Sequence, residues 1–190
     1  ASNLMARKKT ATSTSPLLDM VMELMAIPGP SGQEGAIMQH IVDRLKRAGA
    51  NPSDLKFDKA HTETPLKGEV GNLVFQLPGT VKGPRRMLSA HVDTVPVCVG
   101  SQPVVRGNMV ESADPETGLG ADDRAGAAVL LATAERLLRD KPAHYPVTFL
   151  WTIQEEVGLY GARHVKVSAL GKPKLAFNFD GGNPTKLTIG

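Results

Sequence analysis

The sequence predicts an α/β layered domain with a largely parallel central sheet. Three observations point there: apolar segments of strand length alternate with helical patterns through the second half of the chain, the connections between them read as helical, and ionisable residues fall directly after the apolar runs. Residues 1–15 are polar, rich in Ser and Thr and without apolar periodicity, so they are expected to form a tail, with the fold occupying 16–190. Ser15-Pro16 places a capping hydroxyl before a first-turn proline, and Leu17, Leu18, Val21, Met22, Leu24 and Met25 then recur at helical spacing up to the break at Pro28. Ser31-Gly32-Gln33-Glu34 has the pattern of a capping box, followed by Ile37, Ile41 and Leu45 on one helical face and a stop at Gly49. Leu55 to Phe57, Leu73 to Leu77 and Met87 to Val92 read as strands. The turn signals Pro78-Gly79 and Gly83-Pro84 suggest that the last two pair antiparallel. Ala125 to Leu138 reads as a helix, Val147 to Ile153 as a buried strand, Gly158 to Val165 as a short helix and Leu175 to Phe179 as a further strand.

A chain of 190 residues with 41% hydrophobic and 22% charged residues has the size and composition of one globular domain, which excludes disordered and collagen-like classes. Its net charge of +3 comes entirely from Arg7, Lys8 and Lys9, leaving a neutral body. With only 4% aromatic residues and no basic–aromatic interleaving, a nucleic-acid partner is not expected. No stretch reaches the ~20 apolar residues of a membrane span, and the N-terminal segment lacks the apolar centre of a secretory signal. Cys98 has no second cysteine to pair with. The expected location is therefore the cytoplasm, with no membrane partner.

In α/β sheets chemistry gathers at the carboxyl ends of the strands. Here the apolar segments lead into His91-Val92-Asp93, Gln154-Glu155-Glu156 and Asp180, and the glycine loop 118–121 leads into Asp122-Asp123. Each motif alone has an ordinary structural reading: a satisfied histidine, a helix cap, a solvated charge pair, a turn. Together they place one imidazole and up to six carboxylates in equivalent positions, a charge density that demands a cation. Carboxylates with a single histidine suit zinc, and also manganese or cobalt. The two acids of Gly118-Leu119-Gly120-Ala121-Asp122-Asp123 would repel a pyrophosphate, and no nucleophile elbow, His-Glu-x-x-His helix or phosphate loop is present.

Four blocks, Ser89 to Pro96, Leu119 to Gly126, Thr152 to Gly158 and Asn178 to Gly182, resemble in order the signature blocks of the metallopeptidase family that includes peptidase T, aminoacylase, carboxypeptidase G and carnosinase. Their wording is nearest the peptidase T-like branch. The glutamate block with Gly158 to Ala162 also resembles a related aminopeptidase family. The resemblance runs from about Pro16 to the last residue. It implies a three-layer α/β/α zinc-exopeptidase-like domain with two zinc ions per complete site. His91, Asp122 and Asp180 would bind one ion, and Asp122 would bridge to a second held by Glu156. Asp93 would steady His91, Glu155 would be the general base, and the Asp122–Asp123 peptide would be cis. The implied reaction is amide hydrolysis of a small peptide, releasing the N-terminal residue of a di- or tripeptide. Deacylation of an N-acyl amino acid, or a catalytically silent metal-binding or interaction module, stand as alternatives.

The family also supplies a distant histidine to the second ion, and none of His40, His61, His144 and His164 matches it. His40 falls on a predicted helix, His61 in a loop, His144 in a proline-bracketed connection and His164 at the end of a short helix. A lid or dimerisation domain and a returning catalytic segment are likewise not matched. The expectation is the N-terminal part of a catalytic domain, with one ion site complete, weak or no activity, an uncovered sheet edge and a tendency to form homo-oligomers.

Overall fold

A computed structural model describes residues 15–183 and 185–189. The tail expected over 1–15 lies outside the described residues except for Ser15, whose hydroxyl accepts the Leu18 N–H (3.2 Å) and caps helix α1, Pro16–Ala26. Helix α2, Gly35–Arg47, buries Ile37, Met38, Ile41, Val42 and Leu45. It stops at Gly49, whose φ of 104° lets the Gly49 and Ala50 N–H groups return to the Lys46 and Leu45 carbonyls. The capping box does not form. Helix α2 starts after Glu34, which caps nothing with its side chain, because Ser31 and Glu34 are bonded elsewhere, as described below.

The chain then runs through β1 (Leu55–Phe57), the single turn of α3 (Ala60–Glu63), β2 (Leu73–Leu77) and β3 (Arg86–His91). A hairpin follows, β4 (Pro103–Arg106) and β5 (Met109–Ser112), which has its own two-stranded ladder and was not foreseen from the short, half-exposed sequence around Gly107. The long helix α4 (Ala121–Asp140), β6 (Val147–Thr152), α5 (Tyr160–His164) and β7 (Leu175–Asn178) complete the order. No helix among the described residues is long and apolar enough to cross a membrane.

The main sheet has the order β1-β2-β6-β3-β7. Here β2 and β3 are not partners: β6 lies between them, antiparallel to β2 and parallel to β3. Every residue of β6 is buried, and an apolar strand of that kind is stable only with a neighbour on each edge. The connection from β2 to β3 therefore steps across the start of β6, where the Thr80 and Val81 N–H groups reach the His144 carbonyl. Four strands run one way and β2 alone runs against them, so the sheet is mixed, with antiparallel ladders at its β1 end and parallel ladders at its β7 end.

Strand alternation sorts the core into two faces. On one, Leu73, Phe75, Ala90, Phe149 and Trp151 pack beneath α1, α2 and α4 together with Leu24, Ile37, Ile41, Leu130 and Leu131. On the other, a small cluster of Val74, Leu150 and Leu170 packs with Met87 and Val165 beside α5 and the tight turn Val167–Leu170. Among the described residues the outer layer on that side is thin, so the three-layer expectation is met by one full helical layer and one partial one.

Candidate metal centre

Strands β3, β6 and β7 run parallel and α4 begins beside them, so His91, the Gln154–Glu156 turn, Asp180 and Asp122 meet at one end of the sheet. His91 is the last residue of β3, beside Thr152, and only 2% exposed. Its Nδ1 lies 3.0 Å from the Asp93 carbonyl oxygen and 3.4 Å from Asp93 Oδ1. A proton on Nδ1 is satisfied there, which leaves the Nε2 lone pair for a ligand. Nε2 stands 3.1 Å from Asp122 Oδ1 and 3.8 Å from Glu155 Oε2. Donor atoms of His91, Asp122 and Asp180 all lie within 4.8 Å of one another, close enough to share one cation. One imidazole and two carboxylates form a donor set suited to zinc or another first-row divalent ion. Glu156 is not a member of that group.

Helix α4 delivers Asp122 through an irregular start. Asp122 and Asp123 depart from helical geometry and are joined by a cis peptide, as the resemblance implied, and the regular helix begins after them. The helix read from Ala125 thus carries the acidic pair in its own first turn. Asp123 points inward. Its carboxylate accepts the His91 N–H (3.2 Å) and the Gly126 N–H (3.1 Å), tying the end of β3 to α4. Gly126 has a further reason to lack a side chain, since a Cβ there would sit 2.2 Å from the Phe179 carbonyl oxygen, the residue before Asp180. The Phe179 N–H bonds Ser89 O (2.9 Å), and this fixes Asp180 opposite Asp122.

The turn after β6 leaves the ladder, and its amides are taken up by side chains. Ile153 N–H donates to Asn72 Oδ1 (3.1 Å), Gln154 N–H to Glu34 Oε1 (3.1 Å), Glu155 N–H to Asp93 Oδ1 (2.9 Å) and Glu156 N–H to Asp93 Oδ2 (3.2 Å). Asp93 also accepts the Ser31 hydroxyl (2.7 Å), and Glu34 Oε1 accepts the Gly32 N–H (2.8 Å). Asp93 is completely buried and bonded on both oxygens, so it faces the imidazole and grips the glutamate turn at once. Sequence reading reached Asp93 as the partner of His91 and Asp123 as half of an acidic pair, but missed Asn72, Glu34 and Ser31. The Ser31-to-Glu34 pattern marked two of them, under a capping role they do not perform.

Electrostatics follow from this crowding. Burial would pull His91 down, but Asp93, Asp123 and Glu155 outweigh it and raise the imidazole to about 9. Burial would raise Asp93, yet His91, Ser31 and the Glu155 N–H hold it below the usual carboxylate value. Burial pushes Asp123 up to about 7, with Asp180 adding to the rise. Glu155 and Glu156 are raised by burial, and Asp122 and Asp93 add to it while His91 opposes. Together the groups form a concentration of negative charge that one imidazolium only partly offsets.

The other histidines stand away from this centre. His40 on α2 faces Glu23 (3.4 Å), and His164 at the end of α5 faces Glu63 (3.5 Å). His61, expected in a loop, lies in α3, and His144 precedes β6 with Nδ1 2.7 Å from the Tyr145 carbonyl oxygen.

Residues 72–189 match the model of peptidase family M28, a span that contains His91, Asp93, Asp122, Glu155, Glu156 and Asp180. The chain belongs to that family. Peptidase T of Escherichia coli (strain K12) is 30% identical over 152 residues, 63% of this chain and 37% of the relative. The cytosol non-specific dipeptidase of the same strain is 31% identical over 163 residues, 79% of this chain and 30% of the relative. Among solved structures, a tripeptidase from Staphylococcus aureus superposes with a TM-score of 0.78 at 28% identity, covering 88% of this chain and 43% of that one. The M28 chain thus spans roughly two fifths or less of the length of these relatives, and peptidase T, which the four sequence blocks resembled, is among them.

Proposed function

We propose that this chain carries the catalytic core of a metal-dependent hydrolase that cleaves an amide bond in short peptides, releasing the N-terminal residue of a di- or tripeptide. The observation that carries the reading is the convergence of His91, Asp122 and Asp180 donors within 4.8 Å at the strand ends, with Glu155 beside them. Zinc is the favoured ion and the cytoplasm the favoured compartment, the latter because a lone cysteine fits reducing surroundings.

When bound, a divalent ion lowers the pKa of water toward neutrality and polarises the scissile carbonyl. The protein's own groups do the rest. His91, Asp122 and Asp180 would hold the ion, with Asp93 fixing the tautomer of His91. Asp122 and Glu156 would supply two donors toward a second ion. Glu155, raised above the ordinary glutamate value by burial, takes the proton from the attacking water and returns it to the leaving amine.

Three donors for one ion and two for the other predict one tightly held ion per chain and weak hydrolysis. Zinc titration by calorimetry, with a panel of tripeptides and N-acyl amino acids, tests both points; two tight sites of equal affinity would contradict the ligand assignment. His91→Ala is expected to lose the tight ion. Glu155→Gln is expected to retain it and to lower any measurable tripeptide turnover by at least ~100-fold, the scale of a missing general base. Unchanged turnover in the Gln variant would remove Glu155 from the mechanism.

Self-association is also proposed. β7 bonds only to β3 among the described residues, and Leu175 and Phe177 on it and Phe179 just after it are exposed. Sedimentation velocity across a concentration series should show dimers or larger species, and a concentration-independent monomer would refute this.

A further inference from the structure

Glu34 takes no part in the chemistry described above, yet it is completely buried beneath the centre. Its Oε1 accepts two backbone N–H groups from segments far apart in the chain, Gly32 and Gln154. Gln154 has a φ of +53°, the left-handed region that side chains other than glycine seldom occupy. It stays there because its N–H is held by Glu34 and its side-chain amide by the Lys67 carbonyl oxygen. The next two amides, of Glu155 and Glu156, are held by Asp93. A left-handed residue immediately before Glu155 sets the direction in which the chain leaves β6, and with it the reach of the Glu155 side chain toward His91. A buried guanidinium backs this arrangement. Arg124 is fully buried and donates to the Leu24 carbonyl oxygen (2.7 Å), and the negative charges of Asp93 and Glu34 favour its charged form.

We infer that Glu34 is a positioning residue: its carboxylate locks Gln154 in the left-handed conformation and thereby aims Glu155 and Glu156 at the metal centre. This rests on the proposed function for what the glutamates do, but the lock itself is a property of the fold. The pairing also explains why the Ser31-to-Glu34 segment caps no helix. Ser31 bonds Asp93 and Glu34 bonds Gln154, so the loop before α2 grips the same turn through two side chains.

The test compares the ¹⁵N-labelled 190-residue protein with Glu34→Gln, which keeps an oxygen acceptor, and Glu34→Met, which keeps the volume and removes it. Two readouts are taken on each. The first is amide hydrogen exchange without metal: the Gln154 amide is expected to exchange at least tenfold faster in the Met variant and within threefold of the parent in the Gln variant, with Leu150 in β6 unchanged in both. The second is the set of pseudocontact shifts induced by Co²⁺ against a Zn²⁺ reference. Those of Glu155 and Glu156 are expected to change in the Met variant and be restored in the Gln variant, while those around His91 stay fixed. A role confined to general stability would lower the melting temperature without moving these shifts selectively. Parent-like exchange at Gln154 in a folded Met variant, or equal losses in both folded variants, overturns the proposal. So does failure of both variants to fold. If the parent binds no Co²⁺, the metal reading fails, and the exchange comparison still decides whether Glu34 holds the turn.

Discussion

Asp93 carries more connections than any other side chain in the centre: the Ser31 hydroxyl, the Glu155 and Glu156 amides, and a close approach to His91. Asparagine in its place offers one acceptor oxygen where two are needed and turns an amide toward groups that are themselves donors. Urea unfolding of metal-free Asp93→Asn is expected to show a loss of about 2–4 kcal/mol, the range for breaking a buried charged network; a loss under ~0.5 kcal/mol would mean the turn is held by other means. The sequence could place His91, Asp93, Asp122, Glu155, Glu156 and Asp180 at one end of the sheet because each follows an apolar run or a glycine loop, where strand-end geometry delivers polar groups to one place. Glu34 and Asn72 were not legible, since their bonds to residues 154 and 153 join segments 120 and 81 positions apart and leave no local pattern. Asp123 was visible only as half of an acidic pair, and nothing local showed which half faces inward.

At the scale of elements, α4 meets the segment that leaves β7 at Gly126. A methyl group there would meet the Phe179 carbonyl oxygen at 2.2 Å and Asp123 Oδ1 at 2.3 Å. Gly126→Ala should therefore raise intrinsic helix propensity, yet displace the segment carrying Asp180. The expected outcome is a weakening of zinc affinity by at least ~10-fold with helical circular dichroism preserved; unchanged affinity would show that Asp180 reaches the ion independently of this contact. The positions of the longer elements followed from apolar periodicity and capping, and α1 begins at the proline that the sequence marked. Strand order did not follow. That β6 separates β2 from β3 is decided by the burial of β6 on both edges, a non-local outcome that adjacent turn residues cannot report.

At the scale of the molecule, metal-free stability has a definite pH dependence. Glu34 is raised by burial to about 7 from an ordinary 4.5, and Asp123 to about 7 from 3.8, so in both the folded state favours the protonated form. That stability is present at acidic pH and is lost as pH climbs toward 7. His91, at about 9 against an ordinary 6.5, contributes stability fully below 6.5 that is lost as pH rises through 9. Asp93, held low, acts oppositely and only in strong acid. Thermal melts of the metal-free protein should fall steadily from about pH 5 to 9. Saturating zinc should reverse the slope near neutrality, because ligands must shed protons to bind it. A melting temperature that rises with pH in the absence of metal would contradict the buried-carboxylate account.

Among the described residues the β4–β5 hairpin pairs only with itself, and it turns at Gly107, where a Cβ would meet nothing within 4 Å. Because its ladder is separate from the five strands that build the centre, this bend is a natural place to splice foreign sequence. A fluorophore or affinity handle inserted between Gly107 and Asn108 would report on the protein, or immobilise it, while leaving its ion chemistry as it was.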